Sequence, residues 1–320
     1  MHKNIINFLL YHFKTFGFFH GVRKILLTSV YKRLKDIFIA DYVYAKSSYF
    51  YVKKFYKKNK DIEIKVTKPV NDIGGNEFIY WTCWLQGIDK APDLVKSCIK
   101  SAEKIINGCR IIIITYDNLK TYTSLPDYIH DKHKKGYIQA PQFTDIIRTY
   151  LLYTYGGLWF DSTVFFTQSV PELLLKENLF FFKSPLNDEY CPVSNWFIIA
   201  AKNKNYALYK LLCLLLEYWH TKKTCIDYFI FHYFLQVIIR YDSNAADIFN
   251  KIPYFNNQNP HFLQFKYLFS AFDNEIWKNI INISFCHKLT FKIPADKYNK
   301  IDNSFYSYIT NQIKEINALS

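Results

Sequence analysis

From residue 77 onward, short apolar runs rich in β-branched and aromatic side chains alternate with longer segments whose apolar positions recur at helical spacing. The runs at 78–83, 110–115, 158–160, 179–183 and 196–201 have strand length and are flanked by polar or turn-forming residues. Segments 94–106, 206–220, 227–241 and 305–316 predict helices, the first opened by Pro92-Asp93. The isoleucine-rich run at 110–115 predicts a central parallel strand, since such strands are buried on both faces. Alternation of this kind predicts an α/β fold built around one sheet.

The first sixty residues follow a different pattern. Val22, Ile25, Leu26, Val30, Leu34, Ile37 and Phe38 keep helical spacing, with Arg23, Lys24, Lys32, Arg33 and Lys35 elsewhere on the wheel. An earlier apolar group, Ile5 to Phe13, is interrupted by Lys14, so no apolar run reaches the ~18 residues of a membrane span. No small-residue cleavage site follows a compact apolar run, and a signal peptide is not expected. Through Lys60 the chain carries thirteen Lys or Arg against Asp36 and Asp41, which is +11 of the total +14. A basic helical extension of this kind fits an anionic membrane surface, or a helical layer with solvated charges. No zinc-finger, RNP or helix-turn-helix pattern accompanies the charge, so no nucleic acid is expected as partner. The expected division is an extension over 1–70, a main domain over 71–295 and a helical tail over 296–320.

At 320 residues, half of them hydrophobic and with 27 Tyr and 29 Phe, the chain can bury a full core, and disorder or a fibrous repeat is excluded. The seven cysteines form no C-x-x-C pair, and Cys83, Cys109 and Cys213 sit in apolar runs, as buried thiols do. A cytoplasmic protein, peripheral on the inner face of the membrane, is the expected setting.

The densest chemical signal is the segment 143–163, FTDIIRTYLLYTYGGLWFDST. It reads as an amphipathic helix ended by Gly156-Gly157, whose left-handed cap turns the chain into an apolar strand ending at Asp161. Asp145 and Arg148 are three apart and project from one helical face. Taken singly, these pieces could be a surface ion pair and a capping aspartate. Their order and spacing make one unit, with a carboxylate at a strand end, where open α/β sheets place ligand chemistry.

That unit resembles the S/T-D-x-x-R-x-x-x-L-x-x-x-G-G-x-[WY]-x-D-x-[TD] segment of the bacterial capsular polysaccharide synthesis glycosyltransferases, which are similar to the sugar transferases with a DXD motif and a GT-A fold. Trp81-Thr82-Cys83-Trp84-Leu85-Gln86-Gly87 resembles the family's opening strand and loop. The blocks at 91–95, 115–118, 227–229 and 287–290 follow in the family's order. The resemblance implies a GT-A-like nucleotide-binding mixed sheet flanked by helices, and transfer of a sugar from a nucleoside diphosphate sugar to a growing surface polysaccharide acceptor, capsule or lipopolysaccharide. A non-catalytic membrane-associated subunit of an assembly complex is the alternative.

By the same resemblance Asp145, Arg148 and Asp161 would be the catalytic set, with Asp145 and Arg148 on the donor sugar and Arg148 near its phosphates. Trp84 would stack on the base, Asp117 and Asn118 would contact ribose or base unless they only form a turn, and Lys288 would neutralise the diphosphate. Asp161 and His287 would hold a divalent cation, Mn²⁺ or Mg²⁺. Thr163 stands where the DXD pattern has a second carboxylate, which weakens that metal expectation. Asp227 could contact the acceptor or cap a helix. Asp161→Ala and Arg148→Ala are expected to abolish transfer with the fold intact, both residues standing at the site mouth.

Overall fold

The computed structural model describes residues 22, 37–69, 77–106, 109–185 and 189–317. The basic helix expected around 22–38 lies almost wholly outside the described residues. Seven strands are named here: β1 (Ile79–Cys83), β2 (Arg110–Ile114), β3 (Gly157–Phe160), β4 (Val164–Phe166), β5 (Phe180–Lys183), β6 (Val193–Ala200) and β7 (Cys286–Lys288). The longer helices are α1 (Ile37–Asn59), α2 (Asp93–Ile105), α3 (Asp127–Lys134), α4 (Ala140–Tyr155), α5 (Tyr206–Thr221), α6 (Ile230–Tyr241), α7 (Ser243–Asn250), α8 (Asn274–Ile283) and α9 (Phe305–Asn317).

Five strands form one mixed sheet in the order β2-β1-β3-β6-β5. β1 runs parallel to β2 and β3, whereas β6 is antiparallel to β3 and β5 to β6. The isoleucine run is therefore an edge strand, not a central one: Ile111 and Ile113 are only half-buried, while Ile112 and Ile114 face the core. A second, two-stranded sheet pairs β4 with β7. Its register sets Val164 opposite Lys288 and Phe165 opposite His287, bringing a segment from late in the chain beside the end of β3.

α4 packs against α5 and lies over β1, β3 and β6. It was expected to be amphipathic, but eleven of its sixteen residues are buried, among them Asp145 and Arg148. Helix-on-sheet packing on one side and α5 on the other leave only its first turn exposed. α1 packs on α6 and α5, and its Tyr49, Val52 and Tyr56 belong to the same core as the sheet. The expected boundary at residue 70 thus separates no independent core from the sheet domain. A smaller cluster of Leu94, Cys98, Phe165, Leu289, Phe305 and Ile309 ties α2 and α9 to the β4–β7 sheet. Cys109, expected in the core, is exposed at the start of β2.

The Gly-Gly break is dictated by space as well as by dihedral angle. Gly156 ends α4 with φ 75° and ψ −158°, positive φ but not the left-handed helical cap expected. Gly157 has φ 97°, and a Cβ there would stand 2.2 Å from the Ile79 carbonyl oxygen. The missing side chain lets β3 seat against β1, with the Trp81 Nε1–H donating to the Gly156 carbonyl at 2.9 Å. Gly157→Ala should cost about 2–4 kcal/mol, combining strained φ with overpacking against backbone. A denaturant midpoint unchanged from wild type would refute that account.

Candidate functional site

A cleft of about 720 Å³ opens at the carboxyl ends of β1 and β3. Trp84, Leu85 and Gln86 follow β1, Asp161, Ser162 and Thr163 follow β3, and α4 contributes Asp145 and Arg148. Asn195 of β6, Lys288 of β7, and Tyr228 and His232 around the start of α6 close the other walls. The end of a parallel pair is where strand termini leave backbone and side chains available to a ligand.

Arg148 organises the charged floor. Its Nε lies 3.5 Å from Asp145 Oδ1 and its Nη2 3.3 Å from Asp161 Oδ1. Nη1 donates to the Asn195 carbonyl, and the guanidinium carbon sits 5.0 Å from the centre of the Trp159 ring. Its side chain is 6 % exposed, so this is a buried network rather than the surface pair or site-mouth residue of the sequence reading. Asn195 also donates its side-chain amide to Asp145 Oδ1 at 2.9 Å, and the Trp159 Nε1–H donates to Asp161 Oδ1 at 3.1 Å. Lys288 Nζ completes the array, 2.9 Å from Asp161 Oδ2 and 2.6 Å from Thr163 Oγ1.

The two aspartates are pushed in opposite directions. Burial drives the Asp145 carboxyl up to about 7; the neighbouring Asp161 charge adds to the rise, while Arg148 and Asn195 oppose it. Burial also works against ionising Asp161, but Lys288 and Arg148 together outweigh it and hold that carboxyl below its usual range. Asp161 is therefore a fixed anion near neutrality, and Asp145 exchanges its proton there.

Asp145 carries a stability consequence with a definite sign. Its folded value lies above the unfolded one, so between about 4 and about 7 the native state binds more protons and stability falls as pH rises. Relative to Asp145→Asn, the wild type should lose on the order of a few kcal/mol across that window. Denaturant midpoints from pH 4.5 to 8 would check this, and parallel profiles for the two proteins would refute it.

The remaining expected site residues divide. Trp84 lines the cleft, with its ring edge-on to Phe291 at 5.5 Å between centroids. Asn118 is committed to backbone: its side-chain oxygen accepts from Thr115 N and its amide donates to the Ile113 carbonyl, each at 2.8 Å. Asp117 lines a neighbouring cleft of about 540 Å³ with Tyr116, Lys120 and His133. Asp227 accepts from Phe229 N at 2.9 Å in the turn before α6, which starts at Ile230, three residues later than expected, with Phe229 as its N-cap. Asp227 thus shapes the turn that carries Tyr228 to the cleft.

His287 departs from the expected metal pairing. It is fully buried, with Nε2 3.4 Å from Thr167 Oγ1, and it does not line the cleft. Adjacent residues of a strand project to opposite faces, so β7 can present Lys288 to Asp161 only by turning His287 away. Burial lowers the imidazole to about 4 and keeps it neutral. Among the described residues no three His, Cys, Asp or Glu side chains converge as a metal site. Both Asp161 oxygens already meet nitrogen donors, and Thr163 adds a neutral oxygen where the DXD pattern has a carboxylate. The protein thus offers a divalent cation one carboxylate already paired with Lys288 and Arg148 and one hydroxyl, a poor donor set unless a ligand's phosphate oxygens complete it.

Sequence reasoning missed Asn195, Trp159 as a ligand of Asp161, and the cleft cations Lys90 and Lys292. Arg148, Lys288, Lys90 and Lys292 together set four cationic side chains against two carboxylates on the cleft walls. Such a balance suits an anionic ligand. Among the described residues, no helix is long and apolar enough to cross a membrane.

No curated protein matches the chain. Among solved structures, one described as PaToxG Glycosyltransferase is similar at 13 % identity over 86 % of this chain and 97 % of that one, with a TM-score of 0.39. That likeness is too distant to bear on function. The model of the family described as "Capsular polysaccharide synthesis protein" matches residues 30–309, a span that takes in the whole sheet, α4 and the Asp161–Lys288 cleft, and the chain belongs to that family.

Proposed function

We propose that this chain is a glycosyltransferase of GT-A type, moving a sugar from a nucleoside diphosphate sugar to a glycan acceptor of a surface polysaccharide. The observation that carries this is the cleft itself: a cation-rich pocket at the carboxyl ends of two parallel strands, with one half-buried carboxylate held ionised and a buried one that titrates close to neutrality. Family membership supports the biosynthetic setting.

The roles follow from chemistry. Departure of a diphosphate places negative charge on an oxygen that preorganised cations stabilise best in a site shielded from water. Lys288 and Arg148 are those cations. Asp145, braced by Asn195, and Asp161 offer acceptor oxygens for sugar hydroxyls, fixing the anomeric carbon for attack. Trp84 offers an aromatic surface to the base, and Tyr228, 64 % exposed at the rim, offers one to the acceptor. The basic N-terminal segment would hold the chain on the anionic inner face of the membrane, where lipid-linked acceptors are found.

A calorimetric screen of UDP- and GDP-sugars, with CMP-sugars as monophosphate controls, run in parallel on Asp161→Ala, tests the reading. A donor bound by wild type and lost or greatly weakened in the variant is the expected result. Absence of binding by every donor would overturn it and favour a non-catalytic subunit of an assembly complex.

A further inference from the structure

We propose that the Lys288 ammonium is the resident cation of this site, standing on Asp161 in the place a divalent metal ion would take, so that the leaving diphosphate is neutralised without metal. This rests on the nucleotide-sugar reading and deepens it.

Lys288 is held there by the fold. The β4–β7 register sets Lys288 opposite Val164, three residues past Asp161, and the Leu289 N–H donates to the Thr163 carbonyl at 2.9 Å. The side chain is 19 % exposed, unlike a solvated surface lysine. Its Nζ touches Asp161 Oδ2 and Thr163 Oγ1 at once, the two side chains that an Asp-x-Asp pattern would give to a metal. Thr163 holds the ammonium without neutralising it, whereas a second aspartate would neutralise it. A neutral hydroxyl accepts one N–H without adding a negative charge, so the ammonium keeps positive charge to offer a diphosphate. An ammonium has three donors, and the third has no partner among the described residues, so it remains for a phosphate oxygen.

The rest of the cleft is consistent with a single-charge cation at that point. Arg148 lies against the other oxygen of Asp161, so a metal ion there would stand beside two buried or half-buried cations that already neutralise the carboxylate. Lys90 and Lys292 line the same cleft and supply positive charge that a lone lysine lacks beside a divalent ion. During transfer the bond between the anomeric carbon and the diphosphate oxygen breaks, and its electron pair stays on that oxygen, facing Lys288. The acceptor oxygen forms the new bond to the anomeric carbon, and its proton ends on the released diphosphate.

The test uses the full chain, with UDP and GDP as probes, in EDTA and in millimolar Mn²⁺, alongside titration of Mn²⁺ alone followed by its paramagnetic resonance. The expected result is diphosphate binding equally tight in both media and no Mn²⁺ held by wild type. In EDTA, Lys288→Ala should weaken binding by about ten- to a hundredfold, the loss of one charge-assisted hydrogen bond. Lys288→Arg should retain most of the affinity, which separates charge from folding. In Thr163→Asp/Lys288→Ala, Mn²⁺ should restore diphosphate binding. Mn²⁺ held at Asp161 in wild type and lost in Asp161→Asn, or diphosphate binding that requires Mn²⁺, would overturn the lysine role and leave the nucleotide-sugar reading intact. Failure of both diphosphates to bind in either medium would overturn the lysine role together with that reading.

Discussion

Asp161→Ala should lower sugar transfer at least about a thousandfold, because it removes the anion that positions Arg148 and Lys288 and a hydrogen-bond acceptor for the donor. The effect should fall mainly on catalysis. Asp161 is a quarter exposed at its side chain, and its backbone N–H, bonded to the Trp196 carbonyl at 2.8 Å, is untouched by the change. Removing it does leave Arg148 and Lys288 facing each other with one fewer counter-charge, a cost partly relieved by solvent reaching the cleft. The measurement is kcat/KM for the donor found by the screen, paired with a thermal melt. Full turnover in a folded variant would remove Asp161 from the mechanism. Asp161→Asn makes a useful companion, since it keeps the shape and an acceptor oxygen while deleting the charge.

The second large effect is expected at Arg148, and it differs in kind. The guanidinium is almost fully buried and contacts two carboxylates, a backbone carbonyl and a tryptophan face. Arg148→Ala should destabilise the chain by about 3–5 kcal/mol as well as abolish transfer, because it strands buried charge. The expectation of an intact fold, reasonable for a residue at the site mouth, does not survive this burial. The deficit should also depend on pH. Arg148 is the cation that holds the Asp145 carboxyl down among the described residues; without it that carboxyl rises further and escapes by taking a proton. The variant should therefore lie closer to wild type at pH 5 than at pH 8. An equal deficit at both would mean that lost packing, not stranded charge, sets the cost. Arg148→Lys should recover little, since one ammonium cannot span both carboxylates and stack on Trp159.

The segment 143–163 was legible because every cue in it is local: helical spacing, a glycine pair and a strand-length apolar run within about twenty residues. Its burial was not, because α5, which covers one side of α4, lies some sixty residues further on. Asn195 was invisible for a similar reason. It acts through an antiparallel pairing of β6 with β3, and no pattern near residue 195 announces that partner. At 287–288 the block was recognised, but the choice between histidine and lysine depends on which way a three-residue strand faces, and only pairing with β4 decides that. The isoleucines at 111–114 look alike from either side in sequence; Ile111 and Ile113 share one face of the sheet and Ile112 and Ile114 the other, and only the cover on each face in the fold decides which pair is buried. The helix at 37–59 mixes tyrosines, lysines and small residues without a sharp apolar face, so it was read only as part of a basic extension, yet it seals one side of the core.

Trp159 has a practical consequence. Its indole nitrogen is bonded to Asp161 and its ring lies under the Arg148 guanidinium, so any ligand that draws either charge away changes the field across that chromophore. Trp84 lines the same cleft, which puts two of the chain's six tryptophans at the site. Occupancy should therefore register as a change in intrinsic fluorescence, and a Trp159→Phe variant would show how much of that signal comes from the floor of the cleft. The molecule carries its own optical gauge of binding, readable without label, substrate turnover or knowledge of the acceptor.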